Sequence, residues 1–399
     1  MNHLFKKIAL TSAPIISGAF VFVSCEQTVV VQEEQEKTYK LFLTTPEWGD
    51  VENIKTTLQQ QLNNKLVELK SKAKVEIKFT NDTDYATLKE NLNKQEADFA
   101  FISSGSIYDG RNQKQDLDKL NLKLQSLTRK LKGSDPEAKY QENNNPLFAS
   151  ASNQETYFKA IPWSEQWNDK ANGNSWNGAI YTNFYEMNNY VPYQRGLIAI
   201  VANEQMTQDI IQAWNNKDLA SFIKFGIGIG KSDSGSKYLL PQALFKKHFN
   251  KAGQEFLSFD EIRTNTKKYP QATLKQAKFT ESQLEKNNDL HIFFANEGEY
   301  TWTKFKDSKQ YAFAVNNSNP GRTGQKITFL TVTDVLPYNI GVFSKNVSDK
   351  HANDISEALI KLASENKDPW GPSVGFNSYK IINDSKTEFW DVVKNTLGE

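Results

Sequence analysis

The sequence predicts an α/β protein of two lobes, and three observations carry that expectation. The chain has 399 residues, more than one hydrophobic core usually serves. From Tyr39 to Ile102, short apolar runs alternate with stretches of helical period, a β-α-β-α-β order that implies a parallel sheet with right-handed crossovers. Strand and helix signals resume at Leu197, after a segment from Gly133 to Asn189 that reads as loop-rich.

Tyr39–Thr44 alternates and is apolar enough for a strand. Asp50 is placed to cap a helix that carries Ile54, Leu58, Leu62, Leu66 and Leu69 on one stripe. Val75–Thr80 reads as a second strand, Tyr85, Leu88 and Leu92 mark a second helix, and Ala97–Ile102 reads as a third strand. Ligands of such sheets collect beyond the carboxyl ends of the strands. The loop at that position is Ser103-Ser104-Gly105-Ser106.

Further on, Leu197–Ala202 is a strand, and helices are expected over Met206–Trp214 and Leu219–Phe225. The apolar run Phe225–Ile229 ends in Gly230-Lys231-Ser232-Asp233-Ser234-Gly235-Ser236, and a helix follows from Lys237 through Leu240, Leu244 and Phe249. Leu290–Ala295 is a strand that leads into Asn296-Glu297-Gly298-Glu299. Strands at Lys326–Thr331 and Ile340–Ser344 precede helices at Ser348–Glu365 and Ser385–Leu397. The division that follows gives one lobe residues 39–195 and 334–399 and the other residues 196–333, joined near Arg195 and Thr333.

The N-terminus indicates where the chain works. His3, Lys6 and Lys7 precede an apolar run from Ile8 to Val23, and Ser24 stands just before Cys25, the single cysteine. That order is the one a lipoprotein signal peptide over residues 1–24 needs: a basic start, an apolar stretch and a small residue before the cysteine that is cut free and acylated. At about 0.8 kcal/mol per buried methylene, two or more acyl chains hold a protein at a membrane almost permanently. An ordinary cleaved signal or a membrane span are the alternatives; the stretch is short for a span and is interrupted by Pro14 and Gly18. Residues 25–38, rich in Gln and Glu, read as a flexible tether.

Composition excludes several functions. Net charge is +1 on 48 basic and 47 acidic residues, so there is no field to recruit nucleic acid. Four histidines, at His3, His248, His291 and His351, have no metal-ligand spacing. Asp82 and Asp84 show no spacing specific to hydrolysis or metals and read as solvated loop.

Two signals remain. The serine-glycine loops containing Ser104 and Gly105, and Ser232, Ser234 and Ser236, stand where a strand gives way to a helix, so their hydroxyls and N–H groups could meet an anion in the positive field of a helix start; plain N-capping is the simpler alternative. Gly226, Gly230, Lys231 and Ser232 do not form a nucleotide-binding P-loop, which needs four residues between its glycines where three occur. The second signal is aromatic: Trp48 beyond the first strand, Trp163, Trp167 and Trp176 in the loop-rich segment, Tyr300 and Trp302 after Glu297, and Tyr338 before a strand. Such rings can sandwich a flat or cationic ring, although most tryptophans are packing anchors.

These residues carry a resemblance. Trp176-Asn177-Gly178, Arg195-Gly196-Leu197, Gly230-Lys231 with Ser234, Ser236 and Lys237, and Glu297-Gly298 with Trp302 resemble the mycoplasma-type high-affinity transport-system lipoproteins, also called extracytoplasmic thiamine-binding lipoproteins. Pro337-Tyr338, Gly341-Val342-Phe343, and Gly371-Pro372 with Gly375, Asn377, Tyr379 and Lys380 extend it. The similarity is densest from Trp163 to Phe249 and fades between Asn112 and Thr156; Ser232–Pro241 is also distantly similar to the serine-rich turn of phosphonate-binding proteins.

The resemblance implies a two-lobed periplasmic-binding-protein fold of the type II kind, each lobe a mixed or mostly parallel sheet flanked by helices. It also implies a monomer that hands thiamine or a thiamine phosphate to the permease of an ABC transporter. No cofactor and no metal are expected, thiamine diphosphate being cargo. Ser104, Ser232, Ser234 and Ser236 would meet the phosphates, tryptophan or tyrosine faces the thiazolium, and Glu297 or Asn177 the aminopyrimidine edge. Arg195 would clamp phosphate or brace the hinge. Gly235 replaces an aromatic residue expected in that turn and Trp163 replaces a tyrosine, so a different pocket shape, and a phosphonate or other phosphate ester, stay open. A surface glycosidase or an adhesin are the alternatives from other classes.

Overall fold

A computed structural model describes residues 35–46, 49–80, 85–112, 117, 120–143, 145–160, 184–253, 255–301 and 322–398. Cys25, the tether up to residue 34, Asp82 and Asp84 lie outside them. The described chain from Glu36 onward forms two sheets and a short ribbon between them.

The first sheet is built from β1 (Lys37–Thr44), β2 (Ala73–Thr80), β3 (Phe99–Ile102), β4 (Leu120–Leu131), β5 (Tyr185–Val191), β13 (Ile340–Ser344) and β14 (Ser378–Ile381). β1 runs parallel to both β2 and β3, with Leu43 opposite Phe79 and Leu41 opposite Phe99, as the β-α-β-α-β pattern requires. α1 (Val51–Glu68) and α2 (Tyr85–Asn93) make the crossovers. Asp50 caps α1 by accepting from the Asn53 N–H at 3.1 Å. Ile54, Leu58, Leu62 and Leu66 are buried against β1, β2 and α10 (Asp349–Ser364), each full burial contributing about 1.5–3 kcal/mol.

The second sheet has the order β11-β7-β10-β8-β9, from β7 (Gly196–Ala202), β8 (Ile227–Ile229), β9 (Leu274–Gln276), β10 (Ile292–Asn296) and β11 (Lys326–Val332). All seven residues of β7 are buried, because antiparallel β10 and β11 flank it. Between the sheets, β6 (Tyr193–Gln194) pairs with β12 (Leu336–Pro337), Leu336 opposite Gln194 and Pro337 opposite Tyr193.

Four segments depart from the sequence-based expectation. The stretch Gly133–Asn189 is not loop throughout: it contains α4 (Pro146–Ala160) and β5. β4 goes unpredicted although Leu120, Leu122 and Leu124 alternate with polar residues at its start, and it pairs with β5, β13 and β14. α4, expected with the first lobe, packs on β11 of the second sheet, where Phe158 stacks on Phe329 at 5.4 Å and the Glu155 carboxylate accepts from the Phe329 N–H. The C-terminal α11 (Asp391–Leu397) likewise lies beside α7 (Leu240–His248), whose Lys247 donates to the Thr396 carbonyl at 3.3 Å.

His248 sits in the aromatic core under the second sheet. Its ring stacks on Trp214 at 3.9 Å, Nε2 is 2.8 Å from the Trp214 carbonyl, and Nδ1 is 3.3 Å from the Tyr140 hydroxyl. Burial pushes its pKa down from 6.5 to about 4. The fold therefore favours the neutral ring: the stabilisation is fully present above pH 6.5 and is lost as pH falls toward 4. Denaturant titrations at several pH values should show a loss of up to about 3 kcal/mol across that window, and His248→Gln should flatten the slope there; an unchanged slope in the variant would refute the assignment.

Candidate functional site

The two serine-glycine loops meet. α3 (Ser104–Asn112) starts directly after β3, and the turn after β8 opens a wide π-helical segment, Gly235–Leu239, that continues into α7. A Cβ on Gly105 would lie 2.7 Å from the Asp233 carbonyl oxygen and 2.8 Å from the Gly235 nitrogen, so the two backbones touch and only glycine fits. Gly196 is under the same constraint, since a Cβ there would come within 2.3 Å of the Ser236 carbonyl oxygen. A strand-end loop of the first sheet and one of the second thus face each other above the β6–β12 ribbon.

The hydroxyls in this junction have specific partners. Ser104 donates to the Pro337 carbonyl at 2.6 Å and accepts from Gln194 Nε2 at 3.2 Å, which ties α3 to both ribbon strands. Ser106 donates to Asp233 Oδ2 at 3.3 Å. Ser234 caps the segment after it by accepting from the Lys237 N–H at 3.3 Å, and Ser236 donates to Asn296 Oδ1. Glu299, only 5% exposed, accepts from Lys237 Nζ at 2.7 Å and from the Asn296 N–H at 2.8 Å. Ser232 is exposed at the rim. Ser104, Gly105, Ser234 and Ser236 are therefore brought together, and each hydroxyl is held by the protein itself.

Arg195 is 1% exposed. Its guanidinium donates to the carbonyls of Thr333 at 2.6 Å, Asp135 at 2.9 Å, Pro136 at 3.2 Å and Ala138 at 2.9 Å. Of the two roles expected for it, this geometry is that of a hinge brace. Beside it Glu297, half-buried, accepts from Ser134 at 2.9 Å and from Gln154 Nε2 at 2.7 Å. Burial raises the Glu297 pKa, against the pull of Arg195 and of those two donors.

One aromatic expectation changes. Tyr300 is 1% exposed, its ring enclosed by Phe329 at 4.6 Å, Phe158 at 5.2 Å and Phe184 at 6.0 Å, so it is a core residue with no face to offer a ligand. Tyr338 is half-buried near the ribbon and meets Phe376 edge-on at 5.6 Å. Trp48, Trp163, Trp167, Trp176, Asn177 and Trp302 lie outside the described residues. Sequence reasoning missed Gln194, Asp233, Asn296 and Glu299; Asp233 stands inside a loop singled out for its serines and the last two flank Glu297 and Gly298 in the loop after β10, where acids and amides read as ordinary turn residues. Among the described residues no cluster of three or more His, Cys, Asp and Glu could hold a metal.

Lysine cannot replace four simultaneous carbonyl contacts, because its ammonium has three donors on one point. Arg195→Lys should lower unfolding free energy by about 2–4 kcal/mol, in the range for buried charged groups left partly unpaired. A loss under about 0.5 kcal/mol, within surface-substitution range, would contradict the brace.

The comparisons with known proteins agree with this architecture. The profile described as "Extracytoplasmic thiamine-binding lipoprotein" matches residues 50–398. The chain is 29% identical over 393 residues to the high affinity transport system protein p37 of Mycoplasma pneumoniae, covering 96% of each, and 29% identical over 344 residues to that of Mesomycoplasma hyorhinis, covering 84% of this chain and 80% of the relative. A solved structure of the Mycoplasma hyorhinis protein Mh-p37, described as a putative thiamine pyrophosphate transporter, superposes with a TM-score of 0.75 at 24% identity, covering 91% of this chain and 99% of that one. The fold is the α/β fold shared with that solved structure, its sheets mixed and flanked by helices. These relatives are transport-system binding proteins rather than enzymes. The chain belongs to the extracytoplasmic thiamine-binding lipoprotein family.

Proposed function

We propose that this chain is the substrate-binding lipoprotein of an ABC transporter, anchored through acyl chains on Cys25, and that it takes thiamine or a thiamine phosphate in the cleft between its lobes. The observation that supports this most is the meeting of the Ser104–Gly105 and Ser234–Ser236 helix starts above a two-strand ribbon. Lobe closure over such a ribbon can bring both sets of N–H and hydroxyl donors onto one anionic group. The anchor is assigned to lipid on Cys25 because a basic start, the apolar run Ile8–Val23 and Ser24 precede it. The lobes divide near Arg195 and Thr333, with α4 and α11 crossing to the second sheet.

In this reading, phosphate oxygens face Ser232, Ser234 and Ser236, and the cationic thiazolium faces tryptophans of the segment that carries Trp163 and Trp176. Glu297 lies beside the ribbon with Ser134 and Gln154 already on Oε1. Its carboxyl would meet the aminopyrimidine edge.

Charge-assisted hydrogen bonds contribute roughly 1.5–3 kcal/mol each before desolvation is subtracted. Calorimetry at one salt concentration should show thiamine diphosphate binding more tightly than thiamine. Changing Ser234 and Ser236 together to Ala should shrink that preference by about tenfold, near 1.4 kcal/mol, while leaving thiamine binding nearly intact. Equal affinity of the unmodified protein for both ligands, or a double variant that loses both equally, would leave the turn as a helix cap and nothing more.

A further inference from the structure

Glu297 is held through one oxygen only. Ser134 Oγ, on the path from β4 to α4, donates to its Oε1 at 2.9 Å, and Gln154 Nε2 of α4 donates to the same oxygen at 2.7 Å. Oε2 has no hydrogen-bond partner among the described residues. Both donors are themselves fixed. Gln154 is 0% exposed, its Nε2 also lies 3.4 Å from Ser150 Oγ, and its Oε1 accepts from the Tyr300 hydroxyl at 3.4 Å. Ser134 is buried, its N–H donates to the Leu131 carbonyl at 3.1 Å, and a Cβ on the preceding Gly133 would lie 2.9 Å from the Gln154 nitrogen, so turn and helix touch. The loop that carries Glu297 is tied as well, its N–H donating to the Arg195 carbonyl at 3.0 Å.

A carboxyl oxygen offers two lone pairs, and on Oε1 two donors take them. A proton added to Glu297 therefore goes to Oε2, and so does any N–H that a ligand brings. The neighbouring acids are occupied elsewhere: Asp135 accepts from the Glu137 N–H, Glu155 from the Phe329 N–H and Glu299 from Lys237 Nζ. Lys132 acts on Glu186, and Tyr185 of β5 acts on Tyr300. Burial raises Tyr193 of β6 and Tyr300, so both stay neutral while a carboxyl titrates. Arg195 acts on Glu297 as a fixed positive charge, its guanidinium committed to carbonyls.

We propose that Ser134 and Gln154 are positioning residues: by occupying Oε1 of Glu297 they leave Oε2 as the single atom for which a ligand N–H and a proton compete. This rests on the reading above in which Glu297 meets the aminopyrimidine edge, and it adds that ligand binding is coupled to pH. Affinity is highest with the carboxylate ionised. It falls as pH drops through the titration of Glu297, which burial moves upward against the pull of Arg195, Ser134 and Gln154.

Two readouts on the detergent-solubilised full chain test this. The Glu297 carboxyl is followed by NMR on glutamate-labelled protein in the absence of ligand, with Glu297→Gln identifying the resonance. Ser134→Ala and Gln154→Leu should each move its midpoint up by about half a pH unit or more, since each removes a donor that favours the carboxylate. A midpoint that stays put or moves down in Ser134→Ala overturns the positioning, even where Gln154→Leu fails to fold. Unphosphorylated thiamine is then titrated by calorimetry between about pH 4.5 and pH 8. Its affinity should fall about threefold or more toward acid with the midpoint of the carboxyl, whereas Glu297→Gln should show only the ligand's own pH dependence. If the carboxyl midpoint shifts as expected while thiamine affinity has the same pH dependence in the unmodified protein and in Glu297→Gln, the positioning stands and the ring-edge contact falls.

Discussion

The guanidinium of Arg195 holds together the places where the chain passes between its two sheets. It binds the Thr333 carbonyl, at the end of the second sheet, and the carbonyls of Asp135, Pro136 and Ala138, on the path from β4 to α4. Arg195 itself stands between β6 and β7. Three passages are thereby clipped by one planar group with five donors, which no other side chain supplies. The Ser104–Pro337 hydrogen bond, the Gln194 bridge and the close approach of Gly196 to Ser236 are all built within a few residues of that clip. Its cost is a buried charge, offset by carbonyl dipoles rather than by a carboxylate in direct contact.

At the helix starts, internal carboxylates occupy the donors that would be offered to a ligand. Glu299 takes Lys237 and the Asn296 N–H, and Asp233 takes Ser106. The energy of binding an anion there is then a difference between two sets of charge-assisted hydrogen bonds, not the sum of one set. Such an arrangement keeps polar groups satisfied when the cleft is closed, which a low-dielectric junction requires.

Much of the fold was legible because its signals are local. The strand Tyr39–Thr44, the Asp50 cap and the Leu58-Leu62-Leu66 stripe each need only a few neighbouring residues, and all appear in the structure, although Leu41, Phe42 and Leu43 are buried in succession rather than alternately. In β4 only Leu120, Leu122 and Leu124 alternate, the pattern is lost from Gln125 onward, and its partners lie far along the chain. α4 was read as loop since Ser, Asn and Gln lie among its apolar residues, and its packing on β11 is a tertiary fact that no period announces. At the site, the two serine loops were visible by composition. Their contact was not, because it depends on the ribbon that joins the sheets. Tyr300 misled for the opposite reason: an aromatic beside a polar loop looks like a platform, and only its enclosure by Phe329, Phe158 and Phe184 shows otherwise.

The account turns on a cleft that closes on a ligand with one anionic end and one cationic ring. Native mass spectrometry of the protein, purified from its own membrane and sprayed from gentle detergent, addresses that most directly, because tightly closing receptors retain their cargo. The account predicts one adduct per chain with the mass of thiamine or one of its phosphates, lost when the protein is unfolded. A chain that carries no such adduct, and acquires none when thiamine diphosphate is supplied in excess, would contradict it.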